Sequence, residues 1–447
     1  MRRYSARHFP VLPGTAGWNA LIENYASPAT PLVEDSTADF VVIGAGFAGL
    51  SAARRLRQLQ PAARIAVLES GRLAESSAGR NSGFMIDLPH DLISNDYVGA
   101  GDNTKQIQLN RAAIAYAQEA TGDYGIRADY FDLAGKVNGA ASAKADRQNE
   151  SYSRHLAKLG ERFELLDAQG MHELTGSRHY VSGLYTPGTV MLQPAGYIRG
   201  LGAGLLRDGV KIYENSPVLD FEREAGHWRV QAAGGSISTP RVLLTVNGHL
   251  ESFGASRGRL MQVFLFAVMT PELNADQLAR LGGAPRWGLT PADPMGTTVR
   301  RIDSGQGGNR VVTRTISKMR PGMKPAAGDL PHAARVMQRK FDSRFPQLAG
   351  TPMQYGWAGH LCLTLNGVAV SRQIDEGVYS GCVQNGLGTT RGTLTGICAA
   401  ELACGVESEI TRHFVAEEQP RRLPPQPLRE IGANLVIRYK EWIGRDE

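Results

Sequence analysis

Residues 39–49 read Asp-Phe-Val-Val-Ile-Gly-Ala-Gly-Phe-Ala-Gly, and Glu69 lies twenty residues beyond the last of these glycines. The four apolar residues before the first glycine predict a buried parallel strand. Gly44 permits a tight turn, Gly46 lets the main chain approach a diphosphate, and Gly49 lets the next helix pack closely. An acid at this distance can accept hydrogen bonds from the ribose hydroxyls. The pattern predicts a dinucleotide site, and the acid favours FAD or NAD over NADP.

The residues around this motif fit the same unit. The expected helix, Leu50 to Leu59, begins without charged side chains, so that its N-terminal amides and dipole face the phosphates. A second strand, Arg64 to Leu68, brings the acid to its carboxyl end, where ligands of parallel sheets bind. The alternative is a plain glycine turn between two core elements. From this unit we expect the cofactor to contact Gly44, Ala45, Gly46, Phe47, Ala48, Gly49, Glu69 and Ser70.

Composition and charge favour an ordinary globular protein over a binder of nucleic acid. The chain has 447 residues, enough for a large core and two lobes, with 42% hydrophobic and 21% charged residues. Its net charge of +6 is spread along the chain, whereas a nucleic-acid footprint requires clustered basic residues. A mild positive field can still attract an anionic substrate.

The cysteines and apolar segments indicate a reducing compartment and no membrane span. None of the four cysteines forms a CxxC pair or a His/Cys group with metal-ligand spacing, so we expect free thiols and no metal site. The N-terminus lacks the apolar core of a signal peptide. The longest apolar run, residues 260–269, is too short to cross a bilayer. We therefore expect a soluble, cytoplasmic protein.

Hydrophobic periodicity divides the rest of the chain into elements. Residues 1–37 are rich in Pro, Gly and Ser and predict an arm lying on the surface. Apolar spacing predicts helices over residues 106–124, 152–159, 197–207, 332–344, 393–403 and 428–443. Short runs between turn residues predict strands over residues 181–190, 210–213, 218–223, 228–232, 241–246, 261–269, 297–302, 310–317 and 378–383.

Four segments together resemble a known family. Besides the glycine motif, residues 77–83 read Ser-Ala-Gly-Arg-Asn-Ser-Gly, similar to that family's Ser-Gly-Arg-Asn-Gly-Gly loop. Gln193-Pro194 precedes a helix and strands, and Trp357-Ala358-Gly359-His360 is followed by the glycine turn 386–392. The chain thereby resembles the FAD-dependent oxidoreductases of the D-amino-acid oxidase superfamily, within its gamma-glutamylputrescine oxidase-like and glycine/sarcosine oxidase-like branch. The likeness spans nearly the whole chain.

The resemblance implies an α/β fold of the two-lobe, α+β kind. One lobe is a Rossmann-like FAD-binding domain, and the other is a mostly antiparallel sheet that binds substrate. FAD would lie extended, with its flavin ring at the interface of the lobes. The implied boundaries are an N-terminal arm over 1–37, a discontinuous FAD-binding domain over 38–95, 190–250 and 355–415, a substrate-binding domain over 96–189 and 251–354, and a C-terminal linker and helix over 416–447.

Two further segments have the small residues that a flavin site needs. Loop 76–85 carries backbone amides that can reach the ring and the diphosphate, and its Arg80 either pairs with phosphate or rigidifies the loop. Turn 386–390 precedes a helix whose N-terminal amides would face the flavin pyrimidine. An ordinary loop and a plain turn are the alternatives. With three residues at strand ends, the further expected contacts are Ser77, Ala78, Arg80, Asn81, Ser82, Gly83, Met85, Val218, Asn247, Gly248, Gly386, Leu387, Gly388, Thr389 and Thr390.

The resemblance also implies C–N oxidation, in which a hydride passes from the carbon next to nitrogen to flavin N5. A substrate carboxylate needs a fixed cation, and the arginine fork suits it best. Arg314, in an apolar-flanked strand, and Arg391, after the glycine turn, are the main candidates. Arg300 and Arg301 are weaker ones, and a sheet ion pair is the alternative for Arg314. His360 is the third candidate catalytic residue, with a hydrogen-bonded core histidine as its alternative.

One cysteine is a candidate for covalent attachment of the flavin. Some members of the family attach flavin covalently through a cysteine, and Cys362 falls about one residue from the corresponding position. A buried, inert thiol is the alternative for Cys362. We therefore expect FAD to be held non-covalently.

The leading hypothesis is an FAD-dependent oxidase of a small primary or secondary amine or amino acid. The imine product would hydrolyse, and O2 would be reduced to H2O2. Gamma-glutamylputrescine, N-substituted glycines and iminodiacetate-like compounds are possible substrates. The main alternative is a dehydrogenase of an amine or 2-hydroxy acid that passes electrons to a quinone or carrier. A non-enzymatic flavin-binding module and an NAD dehydrogenase are further alternatives, and the oligomeric state stays open.

Overall fold

The fold is built around two large sheets, with a cavity between the carboxyl edge of the first and the second. A computed structural model describes residues 3–6, 8–22, 27, 29–89, 103–293 and 295–447. The expected domain boundary between residues 95 and 96 lies outside these residues. The strands of the described chain are β1 (Arg3–Ser5), β2 (Ser36–Thr37), β3 (Phe40–Ile43), β4 (Ile65–Leu68), β5 (Phe84–Met85), β6 (Phe131–Asp132), β7 (Lys136–Ala140), β8 (Glu164–Asp167), β9 (Ser182–Thr186), β10 (Val190–Leu192), β11 (Lys211–Tyr213), β12 (Val218–Glu224), β13 (His227–Ala232), β14 (Ser236–Thr239), β15 (Val242–Leu244), β16 (Met261–Met269), β17 (Trp287–Pro291), β18 (Thr298–Ile302), β19 (Arg310–Met319), β20 (Tyr355–Leu363), β21 (Val370–Asp375) and β22 (Val378–Cys382).

Helices cover the outer faces of these sheets. All the predicted helices are present, although several begin earlier than predicted, most of all α4, which begins nine residues before its predicted start of 152. The helices of the described chain are α1 (Gly17–Ala20), α2 (Phe47–Leu59), α3 (Thr104–Tyr124), α4 (Ala143–Lys158), α5 (Ala168–Thr175), α6 (Pro194–Arg207), α7 (Ala275–Leu281), α8 (Asp329–Arg344), α9 (Thr390–Ala403), α10 (Glu409–Ala416) and α11 (Leu428–Ile443).

The first sheet is the predicted Rossmann-like core. Its strand order is β11-β4-β3-β15-β22-β21, and all neighbours are parallel except β21 and β22. The residues of β3, β4 and β15 are buried, as their continuous apolar sequences predict. Helices α2 and α9 pack against each other and against this sheet. The carboxyl ends of β3, β4, β15 and β22 therefore share one edge, where a ligand can bind.

The second sheet is the predicted, mostly antiparallel sheet of the other lobe. Its order is β20-β16-β19-β18-β17-β7-β9-β8, with one parallel pair, β17 and β7. Helix α8 packs on β16 and β19. Two smaller sheets, β1-β12-β13-β14-β2 and β5-β10-β6, complete the fold. The two-lobe architecture predicted from the sequence is thus confirmed.

Three parts of the predicted organisation need correction. Residues 355–363 were assigned to the FAD-binding domain, but they form β20, which pairs with β16 at the edge of the large sheet. The strand expected over 181–190 is two strands, β9 and β10, in different sheets. Helix α3, assigned to the substrate domain, packs on α6 and α9 of the nucleotide lobe. The turn at Pro187-Gly188 divides the strand expected over 181–190, whereas the other two errors arise because the partner of an element is set by contacts distant in sequence.

The N-terminal arm was expected to lie on the surface, but part of it packs into the core. Strand β1 pairs with β12, and β2 pairs with β14. Trp18 is fully buried, its Nε1 donates to the carbonyl oxygen of Asn81 at 2.9 Å, and its own carbonyl accepts from Gln193 at 2.8 Å. An aromatic side chain of this size contributes strongly to a core. The arm therefore holds the loop that contains Asn81.

Among the described residues, no helix combines the length and the apolar character that crossing a membrane requires.

We predict that Trp18→Ala lowers the free energy of unfolding by about 3–5 kcal/mol, because it removes a large buried side chain and leaves a cavity. Urea unfolding followed by far-UV circular dichroism measures this effect. Trp442→Ala is the matched control, since Trp442 is 62% exposed and its removal should change stability by no more than about 0.5 kcal/mol. Equal losses in the two variants would contradict the role assigned to the arm.

Candidate active site

A cavity of about 660 Å³ lies between the carboxyl edge of the six-stranded sheet and the eight-stranded sheet. Its walls come from both lobes and from the N-terminal arm. Sixteen of the residues predicted to contact a cofactor line it, which places the glycine motif, loop 76–85 and turn 386–390 around one space. These sixteen are Gly44, Gly46, Phe47, Ala48, Glu69, Ser70, Ser77, Ala78, Arg80, Asn81, Ser82, Asn247, Gly386, Leu387, Gly388 and Thr389.

The three glycines of the first motif have distinct structural roles. Gly44 has a φ of +99°, which L side chains rarely adopt. A Cβ on Gly49 would lie 1.8 Å from the carbonyl oxygen of Gly44, so this position packs helix α2 against β3. A Cβ on Gly46 would meet only the Cβ of Ala78, at 3.7 Å, and would project into the cavity wall. Gly46 is therefore free of a packing requirement, which fits a close approach of a ligand.

Glu69 is a buried acid whose oxygens already accept three hydrogen bonds. The amides of Ala45 and Gly71 donate to it at 2.8 and 3.3 Å, and the hydroxyl of Ser70 at 3.1 Å. Burial raises the pKa of Glu69, and the two amides oppose this shift. A carboxylate has about four acceptor positions, so Glu69 can still accept from a hydroxyl of a ligand.

The loop 76–85 is held rigid by hydrogen bonds to main-chain groups. Asn81 bridges it, because Nδ2 donates to Ala78 O at 2.6 Å and Oδ1 accepts from Gly83 N at 2.7 Å. Arg80 donates through Nε to Glu75 O at 2.7 Å and through Nη1 to Gly14 O at 3.0 Å. Of the two roles predicted for Arg80, the structure therefore favours rigidifying the loop.

Arg300 fastens the same loop from the opposite lobe. It is 1% exposed, and its Nη1 donates to the carbonyls of Ser82 and Leu192 at 3.0 and 2.7 Å, while Nη2 donates to Gln306 Oε1 at 2.8 Å. Burial lowers the pKa of Arg300 to about 9. Arg301 donates instead to the carbonyl of Gly282. Both arginines thus donate to main-chain carbonyls, and neither is among the described residues that line the cavity.

The glycine turn 386–390 is hydrogen-bonded to residues at the end of loop 76–85 and just after it. Thr389 Oγ1 donates to Phe84 O at 2.7 Å, and Thr390 Oγ1 donates to Ile86 O at 3.0 Å. The N-terminus of α9 is thus fixed at the cavity, as the sequence predicts. At the end of the neighbouring strand β15, Oδ1 of Asn247 lies at the cavity and is buried without a hydrogen-bond partner. An unpaired buried acceptor costs free energy unless a ligand donates to it.

Arg314 is the cation that the large sheet presents to the cavity. Its Nε donates to Ser82 Oγ at 3.3 Å, and no carboxylate of the described residues pairs with it. Burial lowers the pKa of Arg314 to about 10, so the guanidinium stays protonated at neutral pH. Ile316, two residues later, forms a β-bulge against β16 with a φ of +61°. Bulges next to a site re-aim nearby side chains.

His360 also lines the cavity, as a neutral histidine. Burial lowers its pKa to about 3, and the nearby His249 contributes to the shift. Nε2 lies 2.9 Å from Oε1 of Gln262, whose Nε2 donates to Gly248 O and to Glu251, each at 3.0 Å. The amide of Gln262 is thereby oriented, so His360 donates from Nε2 and keeps its lone pair on Nδ1.

Arg391 lies elsewhere. It forms an ion pair with Glu417, and its guanidinium carbon lies 5.6 Å from the ring centroid of Phe414. It is absent from the described residues that line the cavity. The charge of Arg391 is therefore committed to the segment after α10, which corrects its expected role as a substrate cation.

Several lining residues had no detectable signal in the sequence. They lie in the arm, in β16 and in β17, and only the fold brings them to the glycine motif. Examples are Phe9, Pro10, Leu12, Leu265, Phe266, Ala267 and Thr290. Conversely, seven predicted contacts do not line the cavity and pack behind its wall: Ala45, Gly49, Gly83, Met85, Val218, Gly248 and Thr390.

A family model described as FAD dependent oxidoreductase (DAO) matches residues 39–402. The chain belongs to this family. It is 24% identical over 431 residues to the probable oxidoreductase OrdL of Haemophilus influenzae, with 93% of this chain and 94% of that protein covered. It is 25% identical over 399 residues to the gamma-glutamylputrescine oxidoreductase of Escherichia coli, with 88% and 89% covered. The solved glycine oxidase from Geobacillus kaustophilus shares the fold, with a TM-score of 0.66, 18% identity, and 85% and 96% covered.

The chain is therefore an FAD-dependent oxidoreductase, and its cavity fits that cofactor. Glu69 has acceptor capacity left for the ribose hydroxyls, and the wall at Gly46 and Phe47 is open to a diphosphate. The N-terminus of α9 and the unpaired Oδ1 of Asn247 offer a donor set and an acceptor for the flavin ring.

We predict that Gly46→Ala and Gly49→Ala damage different properties of the protein. The Gly46 variant should keep the stability of the apoprotein and bind FAD at least about tenfold more weakly, because the added methyl occupies space for the diphosphate. The Gly49 variant should lower the apoprotein's melting temperature, since its Cβ collides with Gly44 O. Flavin fluorescence titration and thermal melting separate the two. A stable Gly49 variant would contradict the packing role.

We predict that acid precipitation of the holoenzyme leaves a colourless pellet and a yellow supernatant. Cys362 lines the cavity, but burial raises the pKa of its thiol well above the usual value, and a protonated thiol is a poor nucleophile. Cys362→Ser should therefore retain FAD. Yellow colour that stays with the wild-type pellet and disappears in this variant would show a covalent bond.

Proposed function

We propose that this enzyme oxidises the C–N bond of a small amine or amino acid that carries a carboxylate. When bound, FAD supplies the acceptor for the hydride. The resulting imine hydrolyses in water to a carbonyl compound and a free amine or ammonia. The observation that carries the proposal is Arg314, a buried cation at the cavity with no acidic partner among the described residues.

Arg314 suits recognition of a carboxylate for two reasons. A guanidinium offers two parallel donors, which match the two oxygens of a carboxylate. Burying a charge without a counterion is costly, so the site is favourable only when an anion completes it. Because Arg314 donates to Ser82 of loop 76–85, the carboxylate would be held close to the cofactor side of the cavity.

The other walls of the cavity suit a neutral amine group next to the carboxylate that Arg314 would bind. Leu265 and Phe266 supply apolar surface that limits water, and His360 keeps a lone pair on Nδ1. A nitrogen must be uncharged to release a hydride from its neighbouring carbon, and an imidazole lone pair can accept a hydrogen bond from it. These residues thus suit the neutral amine of the proposed substrate.

The relatives support the same substrate class. One is named for gamma-glutamylputrescine, which is an amine with a carboxylate at its other end. We propose O2 as the electron acceptor, with H2O2 as the product. An oxygen electrode tests this part alone, and flavin bleaching without oxygen uptake would favour the dehydrogenase alternative.

We predict that Arg314→Met raises the KM for carboxylate-bearing amines roughly 30-fold or more, because the anion loses a charge-assisted bidentate partner. Arg314→Lys should restore part of the affinity, since a lysine keeps the charge and loses the fork. Anaerobic flavin bleaching across amines, N-alkyl glycines and hydroxy acids first finds the substrate, and steady-state kinetics then measure KM.

Arg391→Met is the matched control for this experiment. It removes the same side chain from an ion pair outside the cavity lining, so it should leave KM within about twofold. Amines without a carboxylate should be oxidised equally by wild type and Arg314→Met. An unchanged KM for every carboxylate substrate in Arg314→Met would refute the proposed role.

A further inference from the structure

Helix α11 lies on the protein with its polar side inward. Asn434 Oδ1 accepts from Met319 N at 3.0 Å, its Nδ2 donates to Met319 O at 3.1 Å, and Glu441 Oε1 accepts from Ser317 N at 2.8 Å. These groups belong to the end of β19, beyond the last residue that β18 pairs. Arg320 also bonds Glu430 at 3.2 Å. The polar side chains of the helix therefore form hydrogen bonds with main-chain groups at an open edge of the sheet.

The outward side of α11 is apolar along its whole length. None of its residues is buried. At helical spacing, the exposed side chains form a stripe with two stacked aromatic rings, 6.4 Å apart at their centroids. We call this set the outer stripe: Leu428, Ile431, Leu435, Val436, Tyr439, Trp442 and Ile443. A contiguous apolar surface of this kind marks an interaction site.

Basic residues border the outer stripe on both sides. At about 100° per residue, Arg438 falls along one border, and Arg429 and Lys440 fall along the other. Arg445 lies just past the end of the helix, with its guanidinium over the ring of Trp442. The two glutamates of the helix are bonded on its inner side, at Arg320 and at β19. Asp446, beyond the end of the helix, is exposed and lies 3.9 Å from Arg445. The outer surface is thus apolar in the middle and cationic at its borders.

We propose that the outer stripe binds the surface of an anionic lipid membrane. Leucine, isoleucine, tyrosine and tryptophan would enter the headgroup boundary, while the bordering arginines and lysine would reach lipid phosphates. The helix lies flat and does not span the bilayer. A second copy of the chain fits the surface less well, because a symmetric pairing of two such helices would bring their basic borders together.

Tryptophan fluorescence of the holoenzyme gives a direct test. The other four tryptophans, Trp18, Trp228, Trp287 and Trp357, are at most 3% exposed, and Trp442 is 62% exposed. Vesicles of phosphatidylcholine with roughly a quarter phosphatidylglycerol should shift the emission to the blue and sediment with the protein. Binding to phosphatidylcholine alone should be at least about tenfold weaker, and salt near 0.5 M should weaken binding to the anionic vesicles.

Two variants and a control define the site. Leu435→Asp should weaken vesicle binding about tenfold or more, and the double variant Arg438→Gln/Arg445→Gln should do so on anionic vesicles only. Leu365→Asp is the matched control, because Leu365 is 53% exposed, compared with 60% for Leu435, and lies outside α11. Its vesicle binding should equal that of wild type. The visible flavin spectrum and thermal melting confirm that each variant is folded.

The proposal is overturned by any of three results. The first is the absence of sedimentation and of a blue shift with both vesicle types, and the second is equal binding by wild type and Leu435→Asp. The third is a dimer in sedimentation velocity that Leu435→Asp converts to monomer, since the stripe would then be covered by a second copy.

Discussion

The site depends on a buried cation that joins the two lobes, Arg300. From β18 of the large sheet, its guanidinium donates to the carbonyls of Ser82 and Leu192 and to Gln306. These acceptors, like Gly83 O at 3.3 Å, are neutral, so burial is only partly offset and lowers the pKa of the group. The arginine is useful because its planar donors fix several carbonyls at once. It sets where loop 76–85, one wall of the cavity, lies relative to the sheet that carries Arg314.

The parts of the fold that could be predicted from the sequence are those set by local geometry. The positive φ of Gly44 and the close contact at Gly49 follow from the spacing of the glycine motif, and both are present. Helix α11 has its predicted bounds, because apolar periodicity and the proline-rich segment before it mark its ends. Turn 386–390 was likewise placed at the cavity by the small residues that precede a helix.

The parts that could not be predicted depend on contacts between distant residues. The sequence does not separate Arg314 from Arg391 as candidates for the substrate cation. Arg314 lies in a predicted strand between apolar residues, and Arg391 follows the glycine turn. The fold separates them, because Arg391 meets Glu417 whereas Arg314 meets only the hydroxyl of Ser82. In the same way, nothing local shows that Trp18 of the arm enters the core or that residues 355–363 join the large sheet. Pairing across hundreds of residues leaves no periodic signal.

Strand β19 connects the substrate cation with the helix that faces outward. Its first half pairs with β18 and carries Arg314 to the cavity, and a bulge at Ile316 follows. A β-branched residue at positive φ is strained and persists only where neighbouring contacts hold it. Beyond the bulge, α11 takes the place of β18 by bonding Ser317 and Met319. These bonds begin one residue after the strained position, so α11 is fixed to β19 directly beside the bulge that follows Arg314.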